Sequence, residues 1–235
     1  MTLTKNPGRV AGLLYVVASV PGFFALVYVP SRILVRGNTT ATANNIFVHE
    51  TLFRLGIAAD LIGQAMFIFV GLALYELLKG VDRRHALAML TLILVAIPIA
   101  FLNEVNSIAA LVLVRGPDFL SVFEKPQRDA LAGLFLNLRG GGFEVAGIFW
   151  GLWLFPLGLL AYRSGFIPRI LGVLLMIGCF AYLTNSFTSL LLPQYEKVVA
   201  RWVSPLQAVE LLFMFWLLIM GARPKPNASH ATAPA

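Results

Sequence analysis

The chain has 235 residues, of which 59% are hydrophobic and 12% charged, and its formal net charge is +7. A water-soluble domain carries roughly twice that charged fraction, and the basic residues lie in small groups between apolar runs, which excludes a soluble fold and a nucleic-acid surface. The single cysteine, Cys179, excludes a disulfide framework and argues against metal binding by thiolates.

Several apolar stretches exceed the ~20 residues that cross a ~30 Å hydrocarbon core. The first follows the basic start MTLTKNPGRV. It is too long for a signal-peptide core and lacks a cleavage site, so it is expected to be a spanning helix over 10–33, with a kink at Pro21. TATANNIFVHE, from Thr40 to Glu50, opens with threonines suited to capping and reads as a short interfacial helix. A second span covers 52–78 and a third 86–114, the latter expected to kink at Pro98 and carrying the segment FLNEVNSIAA at 101–110.

PQRDALAGLFLNL, from Pro126 to Leu138, has proline at a helix start and apolar residues at helical spacing. It is expected to lie along the interface until Gly140, Gly141 and Gly142 break it into the fourth span, 143–162. The fifth and sixth spans cover 169–192 and 204–222. The tail 223–235, rich in Pro, Ala and polar residues, is expected to be disordered. The reading is an all-α polytopic membrane protein, a single domain over 1–222 with six spans and one or two interfacial helices.

The eighteen Lys and Arg residues divide equally between the two sides of such a topology. On one side they sit in very short loops, where the positive-inside rule acts most strongly. Both termini are therefore expected in the cytoplasm.

At ~1.5 Å per residue, Asp60 lies ~12 Å below the start of the second helix, Glu104 ~15 Å from the end of the third and Glu210 ~9 Å from the start of the sixth. Glu144 sits just inside the fourth. Because successive helices alternate in direction, all four acids fall in the outer half of the bilayer. Asn103, Asn106, Tyr182 and Asn185 fall there too. On the second helix Gly56, Asp60, Gly63, Gln64 and Gly71 share a stripe, as do Gly140, Glu144, Gly147, Gly151 and Gly158 on the fourth. Small residues mark helix contacts, so these polar groups are expected to point into the bundle.

Arg54 and Arg139 are the cations near this layer. Four carboxyls against two guanidiniums leave negative charge for a proton, a cation or water to relieve. A hard divalent cation such as Ca²⁺ or Mg²⁺ suits a carboxylate set of Asp60, Glu104, Glu144 and Glu210, with Asn103 or Asn185 adding carbonyl oxygens. Arg139 ahead of three glycines could receive an anionic headgroup or carboxylate, but the glycines read more simply as a turn from interface to span.

Enzyme signatures do not accompany these residues. His49, His85 and His230 are too scattered to converge on zinc, and there is no HExxH, GxSxG or Glu-x-x-His. The first functional reading is binding or transport of a small solute, lipid or cation in a carboxylate-lined cavity. The alternative is a non-catalytic subunit bound to a membrane partner or to a second copy through its glycine stripes. An intramembrane enzyme using paired carboxyls ranks last.

AGLLY near the start, LFRLGIAADLI at 52–62, AYRSGFIPRILGVLL at 161–175, Tyr182 with Asn185-Ser186-Phe187, and Glu210 followed by Trp216 together resemble a bacterial multi-pass family. That family is known as domain of unknown function 4386, and the resemblance runs from about residue 8 to 221. It implies the six-span topology and a bacterial inner membrane, and no activity. Asn185 stands where the family often has Asp, and Asn103-Glu104-Val105-Asn106 is not a family feature.

Overall fold

A computed structural model describes residues 6–223, and those residues form helices with no strand. The tail from 224 onward, Lys5 and His230 lie outside the described residues. Six helices are long and apolar enough to cross a membrane: α1 Pro7–Ile33, α3 Glu50–Leu78, α4 Arg83–Arg115, α5 Lys125–Arg163, α6 Arg169–Leu191 and α7 Pro193–Ile219. Between the first two of these lies the short α2, Thr39–Val48. The chain is an all-α polytopic bundle, as composition predicts.

Helix ends follow local chemistry. Asn6 caps α1, its Oδ1 accepting from Arg9 N, with proline in the first turn. The same Oδ1 accepts from Ala222 N, and Gly8 N donates to Ala222 O at 3.0 Å, which ties the start of α1 to the residues that follow α7. α2 is capped by Asn38 and not by a threonine. α4 begins at Asp82 and stops at Gly116, which takes the left-handed conformation (φ 59°) that glycine alone adopts freely.

Three helices are irregular, each near a proline. In α1 a π-helical turn, Phe24–Tyr28, falls between Pro21 and Pro30, and Val29 N bonds back to Phe24 O. α5 is interrupted at Trp153, where Pro156 has no N–H to offer Leu152 O. α7 is interrupted at Ala208, three residues after Pro205. α4, by contrast, continues through Pro98.

The expectation that Gly140–Gly142 break the chain is overturned, because α5 runs through all three without interruption. In a bilayer every backbone N–H and C=O needs an internal partner, so the ~1 kcal/mol propensity deficit of glycine does not open the helix. Gly142 serves close approach: a Cβ there would overlap the Asn103 side chain of α4. Gly140 and Gly141 face open space.

The core takes one or more large residues from every span, Tyr15, Leu74, Ile93, Trp153, Leu175 and Phe213 among them. A second cluster joins Val29 and Ile33 of α1 to Ile46 of α2, Phe53 of α3 and Leu111 of α4. Outward faces are apolar: Leu102 is 72% exposed while its neighbour Asn103 is 6% exposed. That inversion, polar inside and leucine outside, is what lipid rather than water demands.

α5 and α6 cross at glycines, where a Cβ on Gly158 would stand 2.6 Å from Gly172 O. Gly158→Leu is therefore expected to lower stability by about 1–3 kcal/mol. Gly140→Ala, with room around it and better helix propensity, is expected to be neutral or stabilising. Thermal unfolding of detergent-purified protein distinguishes the two, and a tolerated Gly158→Leu would contradict the close crossing.

Ahead of α4, Asp82 accepts from Arg84 N and His85 N, and its Oδ2 lies 2.7 Å from His85 Nδ1. These bonds, with His85 first among the causes, hold its carboxyl below the ordinary 3.8. A depressed carboxylate stabilises the fold fully above its unfolded value and loses that contribution as pH falls through its folded value. Asp82→Ala is thus expected to lower the unfolding temperature at neutral pH, with the gap to wild type closing only below about pH 3.8.

Candidate functional site

Arg139, midway along α5, turns its guanidinium into the bundle. Nε donates to Glu104 Oε1 at 2.9 Å, and Nη2 lies 2.7 Å from that same oxygen and 3.2 Å from Asp60 Oδ2. Asp60 is 3% exposed and Glu104 2%. Isolated charges at this depth cost several kcal/mol each, and a shared guanidinium is the strongest compensation a protein side chain offers.

Hydrogen bonds of the neighbouring amides complete the arrangement. Gln64 Nε2 donates to Asp60 Oδ1 at 3.4 Å, one helical turn along α3. Asn103 Nδ2 donates to the backbone carbonyl of Arg139 at 2.9 Å, and Asn106 Nδ2 donates to Asn103 Oδ1 at 3.1 Å. Adjacent residues of α4 thus grip one residue of α5 twice, by its main chain and by its side chain. Phe143, one turn on, lies under the guanidinium at 4.6 Å. One oxygen of the group stays unused: Glu104 Oε2 is buried and makes no hydrogen bond among the described residues.

Glu210 belongs to a different pairing. Its Oε2 accepts from the Tyr15 hydroxyl at 2.5 Å, which joins α7 to α1. Its Oε1 is buried and makes no hydrogen bond among the described residues. Glu210 and Tyr182 lie on the wall of a cavity of about 220 Å³. Asp60, Gln64 and Ser19 supply the remaining polar wall, and Phe67, Trp150 and Trp153 most of the apolar one. Five of the six spans contribute.

A smaller cavity, about 60 Å³, lies against Glu104, Ser107 and Arg139 under apolar residues of α1 and α3. Asp60 lines the larger space and Glu104 the smaller, while the Arg139 guanidinium bridges both carboxyls.

Not every expected residue joins this arrangement. Glu144 accepts from Asn185 Nδ2 at 3.1 Å, a separate bridge between α5 and α6. Arg54 stays outside: it is exposed and bonded to Glu50 at 2.7 Å, with Arg115 3.6 Å from the same carboxyl. Six residues at 100° each put Arg54 about 120° round α3 from Asp60. The four acids consequently do not form one cation-binding set, and no group of three or more His, Cys, Asp or Glu among the described residues is placed to hold a metal. The reason is chemical: each acid already faces a guanidinium, an amide or a phenol. Tyr15 is the member that sequence reading missed. Its signal was spacing, since Ala11, Tyr15 and Ala18 are all buried on one face of α1.

The family model described as Domain of unknown function (DUF4386) matches residues 10–221, and the chain belongs to that family. It is similar to an uncharacterized protein of Archaeoglobus fulgidus, 36% identical over 76 residues. Those residues are 32% of this chain and 44% of that protein, so the similarity spans less than half of the relative. No solved structure matches the chain.

Arg139→Gln leaves Asp60 and Glu104 facing each other without a cation, and is expected to cost about 3–5 kcal/mol. Adding Asp60→Asn and Glu104→Gln to that variant removes the unpaired charges and should recover most of the loss. Unfolding temperatures of the single and triple variants in one detergent check this. A triple variant no more stable than the single would show that charge pairing is not what Arg139 provides.

Proposed function

We propose that this DUF4386 protein binds and moves a small solute, lipid or cation through the cavity of about 220 Å³, as a multi-pass protein of a bacterial cytoplasmic membrane. The cavity would lie in the outer half of the bilayer, with both termini in the cytoplasm. Asp60, Gln64, Tyr182 and Glu210 are the residues that would meet the solute. Arg139 and Glu104 hold the floor beneath Asp60.

One observation carries the reading. The three interrupted helices meet around this cavity: Leu26 of the π-helical turn and Trp153 of the break in α5 are on its wall, and Glu210 lies two residues beyond the break in α7. Broken or π-bulged helices in membrane proteins place backbone and side-chain polar groups beside a binding space and supply points of bending. A bundle needing only glue has no use for breaks converging on a polar hollow.

Native mass spectrometry after extraction in mild detergent tests it. Wild type is expected to retain a small molecule that Glu210→Gln retains at least tenfold less, at an unfolding temperature close to wild type. Gln preserves an acceptor for Tyr15, so the fold should survive. Equal retention by both proteins, or an empty wild type, would count against the cavity as the site.

A further inference from the structure

We propose that the solute is a small organic cation, an amine or quaternary ammonium with short apolar substituents, seated between Glu210 and the aromatic wall. This rests on the cavity being the binding site.

Charge is the first argument. Asp60 and Glu210 line the cavity, and no Lys, Arg or His does. Arg139 reaches Asp60 but is itself a lining residue of the smaller cavity, and it already serves Glu104. Glu210 faces no cation among the described residues; the Tyr15 hydroxyl donates to it at 2.5 Å and the Tyr182 hydroxyl is its other polar neighbour. An anionic solute would meet two carboxyls here, whereas a cation supplies the compensation that a buried carboxylate requires.

The wall is the second. Phe67, Trp150, Trp153 and Tyr182 are on the wall of the space. Tyr15 and Phe67 meet edge to face at 5.3 Å, and Phe67 and Trp153 do so at 5.7 Å, so these rings are fixed by one another. Aromatic faces attract a weakly hydrated organic cation, while a hard metal ion needs six or more oxygens that rings cannot supply. The same bundle already stacks a guanidinium on a ring, at Arg139 and Phe143.

Two further features set the ligand's size and point of contact. About 220 Å³ is below the range of drug-sized sites and suits a molecule of few heavy atoms. Glu210 Oε1, buried and without a hydrogen bond, is the oxygen left to face an ammonium; the Tyr182 hydroxyl is its neighbour on the wall.

Choline and its neutral carbon isostere, 3,3-dimethylbutan-1-ol, separate charge from shape. With the full chain in mild detergent, choline is expected to raise the unfolding temperature and to change the fluorescence of Trp150 and Trp153, and the isostere to do neither. Glu210→Gln should weaken choline binding about tenfold, and Trp150→Leu, which leaves every carboxyl in place, severalfold. Equal binding of both probes overturns the cation inference and leaves the cavity reading standing. Binding of neither also overturns it, and whether the protein retains some other solute then decides the cavity reading separately. If choline binding survives Glu210→Gln and Trp150→Leu undiminished, the cation sits elsewhere and the inference fails.

Discussion

One guanidinium shared by two buried carboxyls sets how three spans meet. Asp60 on α3, Glu104 on α4 and Arg139 on α5 converge within hydrogen-bonding distance. Such a group is not simply stabilising, since removing three charges from water consumes most of what their attraction returns. Its effect is specificity. A one-residue slip of α4 along α5 would separate Glu104 from Nε and Asn103 from the Arg139 carbonyl together. Gly142 allows that double grip, because any side chain there would occupy the place of Asn103.

On the other flank, α1 and α7 form a second tied pair. Asn6 and Gly8 bind Ala222 at one end, and Tyr15 binds Glu210 deeper in. The larger cavity touches both assemblies, with Asp60 from the first and Glu210 from the second. Leu26 and Trp153, from two of the helix interruptions, line that cavity, and the third interruption precedes Glu210 by two residues.

Much of this is legible in the amino-acid sequence. Apolar length alone predicts six spans, and counting residues from their ends puts Asp60, Glu104, Glu144 and Glu210 in one layer. FLNEVNSIAA read as a polar site inside the membrane, and its Asn103 and Glu104 are both buried. What failed was reasoning carried over from water. Three consecutive glycines end a helix where solvent can take over the backbone bonds; in lipid the helix continues. Arg54 and Arg139 looked equivalent from composition, yet only helical phase decides which one turns inward. Tyr15 carried no charge to draw notice, and its partner lies 195 positions away, a distance over which no local pattern operates.

The four acids look like one feature in sequence and act as three in space. Asp60 and Glu104 share a guanidinium, Glu144 has an amide from Asn185, and Glu210 has a phenol from Tyr15. These partners differ in what they leave undone. A guanidinium cancels a full charge, whereas an amide or a hydroxyl only solvates it. Glu144 is partly exposed and can draw on water or headgroups for the rest. Glu210 sits beside an aromatic-walled hollow with one oxygen unused. A carboxyl so placed is completed either by a proton or by something positive arriving from outside the chain. The rings around it are the surface on which an organic cation, rather than a hydrated metal ion, can shed its water at least cost.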